Sequence, residues 1–295
     1  MYRAGCQWSL PSAVPLQSHG YLLGPPDGTR VRNGCTMSDV DSTTGSGPAD
    51  FYDSLAATYD RLYPDWDAAC REQGEALNRV LVAGDRPGSL AVLDAAVGIG
   101  TQLIGLARHG HRLTGTDISQ GAIRRAELEC RTRGIDADLR VADMRALPFD
   151  DHQFDATVCA DNAVAHLLST KAVVDALREL RRVTRPGGVL LVSIRDYEQA
   201  RREHPPGTLP QVSSDAISFQ VWVWQDDHAR YDLQHFQLVS EGGSWRVTCR
   251  RASLWAMTRD ELSSCADEAG LVDARWLMPD DTGFFQPVLL ARAPS

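Results

Sequence analysis

The sequence predicts an α/β fold: a doubly wound, mostly parallel sheet with an antiparallel β insertion near the C-terminus, at about 210–256. Three observations lead there. From about residue 50, short apolar runs alternate with helical segments, the pattern of strands joined by crossover helices. One such run, 91–95, enters a Gly-x-Gly turn, Gly98-Ile99-Gly100, with an apolar helix behind it. After residue 205 the alternation stops. Ile217–Trp224, Tyr231–Ser240 and Trp245–Trp255 read instead as strands separated by turns at Asp226-Asp227 and Glu241-Gly242-Gly243.

The first 47 residues are rich in Gly, Pro, Ser and Thr, show no period, and are expected to form a disordered extension of a domain spanning 48–295. Met37-Ser38-Asp39-Val40 resembles an ordinary protein start, so 1–36 are expected to be an over-extended N-terminus. Phe51–Leu81 is amphipathic and carries Phe51, Tyr52, Tyr59, Tyr63 and Trp66, which predicts a helix. Then follow strand 91–95, helix 102–109, strand 112–116 and helix 119–133. Ser119 caps that helix at its start, and Gly134 stands just past its end. Strands 137–141 and 154–160 precede helix 171–184, where Leu177, Leu180 and Val183 share a face. Pro186-Gly187-Gly188 reads as a turn before strand 189–194. Helix 258–269 and strands 271–277 and 284–291 close the sheet.

A net charge of -9 argues against a nucleic-acid partner, whose phosphates call for a basic surface. Seven cysteines, widely spaced and without metal-site spacing, read as reduced thiols of a cytosolic protein with no metal. No apolar run approaches membrane-spanning length, which leaves a small molecule as the expected partner. Homo-oligomers remain open.

The chemistry concentrates at strand ends. A dinucleotide loop requires a third glycine, but that position holds Leu103, and Gly105 comes two residues late. Asp94 stands four residues before Gly98, where a carboxylate suits a ligand bearing positive charge. Asp117, at the end of the next strand, is placed to accept both hydroxyls of a ribose; its alternative is a helix cap, a role Ser119 already fills. Asp143-Met144 ends the third strand and Asp161-Asn162 the fourth.

Asp94-x-x-x-Gly98-x-Gly100, with these acids in order, resembles the first motifs of the class I S-adenosyl-L-methionine (SAM)-dependent methyltransferases, a Rossmann-like fold. Asp94 through Gln102, Asp161-Asn162-Ala163-Val164-Ala165-His166-Leu167, Arg185-Pro186-Gly187-Gly188 and Ser193-Ile194-Arg195-Asp196-Tyr197 are similar to the glycine/sarcosine N-methyltransferase-like group. So are Phe51–Asp60 and Thr282-Gly283-Phe284-Phe285-Gln286-Pro287. The similarity covers roughly 51–292, with Val97 departing from the Cys or Gly usual in the group.

The resemblance implies a cofactor site of Asp94, Ala96, Gly98, Gly100, Asp117, Ile118, Asp143, Met144 and Asp161, with Asp143 at the adenine amino group and Met144 against its ring. The implied reaction moves a methyl group from SAM to a small molecule, preferring an amine or amino-acid nitrogen. O- or C-methylation of a specialised metabolite stays open, as does SAM binding without catalysis. His166 has the pKa range of a base, or it is a capping or core histidine. Arg195 suits a substrate carboxylate, or pairs with Asp196. Tyr59, with Tyr52 and Tyr63, sits on the segment expected to cover the sulfonium, where plain core packing competes. Trp222, Trp224, Trp245 and Trp255 are expected to roof the acceptor chamber, unless they serve only to pack the sheet.

Overall fold

The computed structural model describes residues 47–83, 88–242 and 244–295, together with the backbone path of 38–43. Its elements in order are β1 (Ser38–Thr43), α1 (Pro48–Leu55), α2 (Trp66–Leu81), β2 (Ala91–Asp94), α3 (Thr101–Ala107), β3 (Arg112–Asp117) and α4 (Gln120–Arg133). Then come β4 (Ala137–Val141), β5 (Phe154–Cys159), α5 (Thr170–Val183), β6 (Thr184–Ser193), α6 (Tyr197–Glu203), β7 (Gln211–Val212) and β8 (Ala216–Trp224). The chain closes with β9 (Arg230–Glu241), β10 (Ser244–Trp255), α7 (Arg259–Glu268), β11 (Val272–Leu277), α8 (Pro279–Thr282) and β12 (Val288–Arg292).

The main sheet runs β11-β12-β6-β5-β2-β3-β4, parallel except for β12, which is antiparallel to β6 and β11. The chain crosses from one half of the sheet to the other between β2 and β5, and α/β sheets open a ligand crevice at such a switch point. Successive strand residues face opposite ways, so Val92 packs under α2 and α3 while Leu93 packs under α5. Both are fully buried. Local chemistry sets the helix starts: Ser119 Oγ accepts from Ala122 N at 2.9 Å, and Thr258 with Glu261 forms a capping box on α7.

The second sheet, β1-β10-β9-β8-β7, is antiparallel apart from the β1–β10 pair. Its inner face packs Tyr231, Leu233 and Leu254 against Phe51 and Leu55 of α1 and Tyr197 of α6. The inserted antiparallel strands are thus those expected, except that β1 joins them from upstream. Ser38–Thr43 is a strand inside the stretch expected to be disordered, whereas residues 1–37 and 44–46 lie outside the described residues. The possible start at Met37 also falls outside them.

The single helix expected over 51–81 is broken. After α1 the chain makes a 3-10 turn at Ala56–Leu62, becomes extended at Tyr63, and starts again at Trp66. Pro64 explains the extended Tyr63, because proline disfavours helix at the residue before it and supplies no N–H, whereas the change from α to 3-10 at Ala56 comes earlier. Pro186-Gly187-Gly188 is not a free turn before β6. It forms an irregularity within the strand, since Phe154 pairs with Thr184 and pairing resumes at Ala156 with Val189. The last strand begins at Val288 rather than 284, after Pro287.

Candidate active site

A cavity of about 260 Å³ opens at the carboxyl ends of β2, β3, β4 and β5. Its lining includes Ala96, Gly98, Asp117, Ile118, Asp143, Met144, Asp161, Tyr59 and His166. One edge follows the glycine turn. Gly98 has φ +53°, and the place its Cβ would occupy is empty, so a ligand can lie against the backbone there. Gly100 plays another part. It caps α3 at φ +100°, faces Ile104, and does not line the cavity. Of the two glycines only Gly98 lines the cavity, together with Ala96, Val97, Ile99 and Thr101 of the same turn.

Asp94 is buried beneath this turn and likewise does not line the cavity. Its Oδ1 accepts from Ala96 N at 3.5 Å, and its Oδ2 has no hydrogen-bond partner among the described residues. Burial pushes its carboxyl up to about 7. A buried carboxylate oxygen without a donor fits the ammonium of a bound amino-acid moiety, directly or through water. Asp117 Oδ2 accepts from Gly98 N at 2.8 Å and Oδ1 from Ser119 N at 2.9 Å, which locks the tip of β3 to the turn. Burial raises this carboxyl too, with the two backbone N–H groups opposing. Asp143 is held by Arg145, whose Nη2 donates to Oδ2 at 2.6 Å and whose Nε donates to Oδ1 at 3.0 Å. That pairing lowers its pKa, and an adenine amino group would have to share the carboxylate with Arg145.

The opposite edge is built by side chains. Asp161 and Asn162 both have left-handed backbones, at φ 55° and 67°, so the chain turns sharply as it leaves β5. Asp161 Oδ2 accepts from Tyr59 Oη at 3.3 Å and Oδ1 from Gln286 Nε2 at 3.2 Å. Ser193 Oγ accepts from Asp161 N and donates to Gln286 Oε1, both at 2.8 Å. His166 Nε2 and Tyr52 Oη are 2.9 Å apart, while His166 Nδ1 is buried without a partner among the described residues. Burial lowers the imidazole to about 4, with Arg195 adding to the shift, so His166 is neutral at pH 7.

Arg195 does not line the cavity but lies behind this edge. Its guanidinium sits 5.4 Å from the Trp222 ring centroid, and its Nη1 is 3.4 Å from both Tyr231 Oη and Gln220 Oε1. The expected alternative of a pair with Asp196 does not form, because Asp196 accepts from Arg259 at 3.1 Å. Of the four roof tryptophans, Trp222 stacks on Tyr231 at 4.6 Å and Trp224 adjoins both. Trp255 packs with α5 and α7 instead, and none of the four tryptophans lines the cavity, so the expected aromatic roof is not formed there. Sequence reasoning missed the role of Gln286, although its segment was among those carrying the family resemblance. It also missed the Tyr52–His166 pair, since no local pattern joins residues 114 positions apart. No His/Cys/Asp/Glu cluster suited to a metal occurs among the described residues.

Known proteins place this architecture. Residues 92–188 match the methyltransferase domain family. A glycine/sarcosine N-methyltransferase from Parasynechococcus marenigrum is 30% identical over 151 residues, 51% of this chain and 52% of that protein. The chain thus spans about half the length of that curated relative. A SAM-dependent methyltransferase from Clostridium acetobutylicum superposes with TM-score 0.68 at 15% identity, covering 83% of this chain and 99% of that one. The SAM-bound amino pentose methyltransferase CalS10 from Micromonospora echinaspora gives 0.65 at 20% identity, covering 81% and 96%. The strand order and the cavity at the switch point agree with that domain match: residues 92–188 are a methyltransferase domain, and the chain has the fold of the SAM-dependent methyltransferases.

Proposed function

We propose that the protein transfers a methyl group from SAM to a small molecule, at an amine or amino-acid nitrogen. The observation that carries this reading is the cavity along the glycine turn, where Gly98 leaves open space beside the backbone and the buried, partnerless Asp94 Oδ2 beneath it can take a cationic group through a bridging water. SAM supplies an electrophilic methyl group on a sulfonium. Asp94 holds its ammonium side, Asp117 its ribose hydroxyls, and Asp143 with Met144 its adenine. Gly98, Ala96 and Ile118 form the wall against which it lies, and Gly100 keeps the turn in shape.

On the acceptor side, Arg195 makes no ion pair among the described residues, which suits a substrate carboxylate. Tyr52 and Tyr59 close the cavity from above, excluding water and presenting ring faces to positive charge. Neutral His166 lines the same chamber, with its Nδ1 buried and without a partner among the described residues. Fixed alignment of the acceptor supplies most of the acceleration, on the order of 7 kcal/mol or more in ideal cases. The free thiols of Cys70, Cys130, Cys159, Cys249 and Cys265, all buried, suit the cytosol.

Calorimetry with SAM tests the first half of this reading. We expect binding by the wild type and loss of about 10-fold or more in Asp94→Ala and Asp117→Ala, the scale of a lost charged hydrogen bond. Undiminished binding in both variants would overturn it. Incubation with methyl-labelled SAM and a panel of amines, amino acids and phenols tests the second half. Label reaching only hydroxyl acceptors would refute the nitrogen assignment, and label reaching no acceptor would favour binding without turnover.

A further inference from the structure

We propose that Asp161 receives the acceptor's ammonium group and takes its proton, and that with Arg195 it makes the acceptor chamber dipolar. This moves Asp161 from the cofactor set, where sequence reasoning put it, to the acceptor. The proposal rests on the nitrogen-methylation reading above.

Four observations carry it. Asp161 lines the cavity and accepts from Tyr59, with the Tyr52–His166 pair lining it too. Two consecutive left-handed residues turn the backbone there, and Ser193 fixes the Asp161 N–H, so the carboxylate is held by design of the loop. Gln286 and Tyr59 donate to the two carboxylate oxygens at 3.2 and 3.3 Å and Tyr63 also hydrogen-bonds the group, which still leaves lone-pair capacity for a further donor. Tyr52 and Tyr59 bring ring faces to the same place, an environment that favours a cation.

The second pole is Arg195. It and Asp161 influence each other electrostatically yet form no salt bridge, although both lie in the interior. Asp161 at the cavity wall and Arg195 behind it are opposite charges that do not pair with each other, and a molecule that carries both would match them once Arg195 turns toward it. An α- or similar amino acid has that form, with its carboxylate toward Arg195 and its ammonium toward Asp161.

Deprotonation follows from the same geometry. His166 is neutral and engaged with Tyr52, and a weakly basic imidazole is poorly suited to removing a proton from an ammonium. A buried carboxylate is better placed. The ammonium N–H bond breaks, the proton goes to an Asp161 oxygen, and the electron pair stays on nitrogen as the nucleophile. The carboxyl returns its proton to water after product leaves. The groups that set its titration are Arg195, Tyr59, Tyr63 and Gln286, with Tyr52 and His166 at the same edge.

Calorimetry on the full chain loaded with S-adenosylhomocysteine provides a readout independent of turnover. Glycine is the smallest probe carrying both charges, and acetate carries the carboxylate alone. We expect the wild type to bind glycine at least tenfold more tightly than acetate. Asp161→Asn should lower glycine affinity at least tenfold and leave acetate within threefold, while Arg195→Met should weaken both. Asp161→Glu restores the charge and should recover part of the glycine affinity, which a merely misfolded site would not allow. Three results would each overturn the proposal: no glycine binding by the wild type, equal glycine binding by Asp161→Asn, or equal losses of SAM and glycine in that variant, which would return Asp161 to the cofactor. Failure of the methylation reading shows separately, as label that reaches no nitrogen while the glycine–acetate difference stands.

Discussion

At the glycine-turn edge of the cavity, Asp94 and Asp117 sit on adjacent strands, and the donors that hold them are backbone N–H groups of Ala96, Gly98 and Ser119. At the far edge, Asp161, His166 and Arg195 are held by Tyr59, Gln286, Tyr52, Gln220 and Tyr231, side chains from separate parts of the chain. The first edge is therefore defined by strand pairing and one turn, and it survives most changes of side chain. The second is defined by packing between the main sheet, α1 and the second sheet. A scaffold with this division can keep one ligand fixed while the other site is rebuilt.

The sharpest way to break the comparison is to put a side chain where the first edge has none. Gly98→Val fills the open space beside the turn and forces a β-branched residue to φ near +53°. Strain of about 1–3 kcal/mol plus direct blockage predicts at least ~100-fold weaker SAM binding. The hydrophobic layers under the sheet are untouched, so circular dichroism should remain that of the folded protein. Near-normal SAM affinity in a folded Gly98→Val would show that the ligand does not approach the backbone there.

A smaller effect is expected from the charge state of the same edge. Asp94 has its folded pKa raised from 3.8 to about 7 by burial. Between those values the folded protein binds a proton that the unfolded chain has released, so this group's contribution is fully present below about pH 4 and is lost as pH rises through about 7. Melting temperature of the ligand-free protein should fall over that window. Asp94→Asn, which never ionises, should flatten the fall, and saturating SAM should do so in the wild type by supplying a cation. An unchanged slope in Asp94→Asn would mean that another group governs the window, and the far edge, with Asp161, becomes the alternative.

The same division explains what could be seen in the sequence. Strand 91–95, the turn at 98–100 and the caps Ser119 and Gly134 are local patterns, and the structure reproduces them. Asp117 follows from its place at a strand end. Residues of the far edge could be named but not assembled. His166 stands in a recognisable motif, yet nothing nearby in sequence says that Tyr52 meets it. Gln286 reaches Asp161 because β12 runs antiparallel beside β6, which puts the segment before it at the carboxyl edge of the sheet. That depends on the order of strands in space, which periodicity does not encode. The helix expected over 51–81 gives way to a 3-10 turn at Ala56, which puts Tyr59 in the cavity lining, and Pro64 keeps the chain from resuming helix before Trp66.

The smallest predicted effect falls on the far edge and asks whether its side-chain network is tuned or merely packed. Tyr52→Phe removes one hydroxyl from His166 and keeps the ring that lines the cavity. The lost hydrogen bond is worth about 1 kcal/mol, on the order of a fivefold change. If Tyr52 only packs, stability drops slightly and both substrates behave as before. If it orients His166, the acceptor KM or kcat changes by that factor while SAM affinity stays fixed, because no backbone group at the glycine turn depends on either ring. A loss of SAM affinity equal to the loss toward the acceptor would join the two edges into one unit, and the division between them would no longer hold.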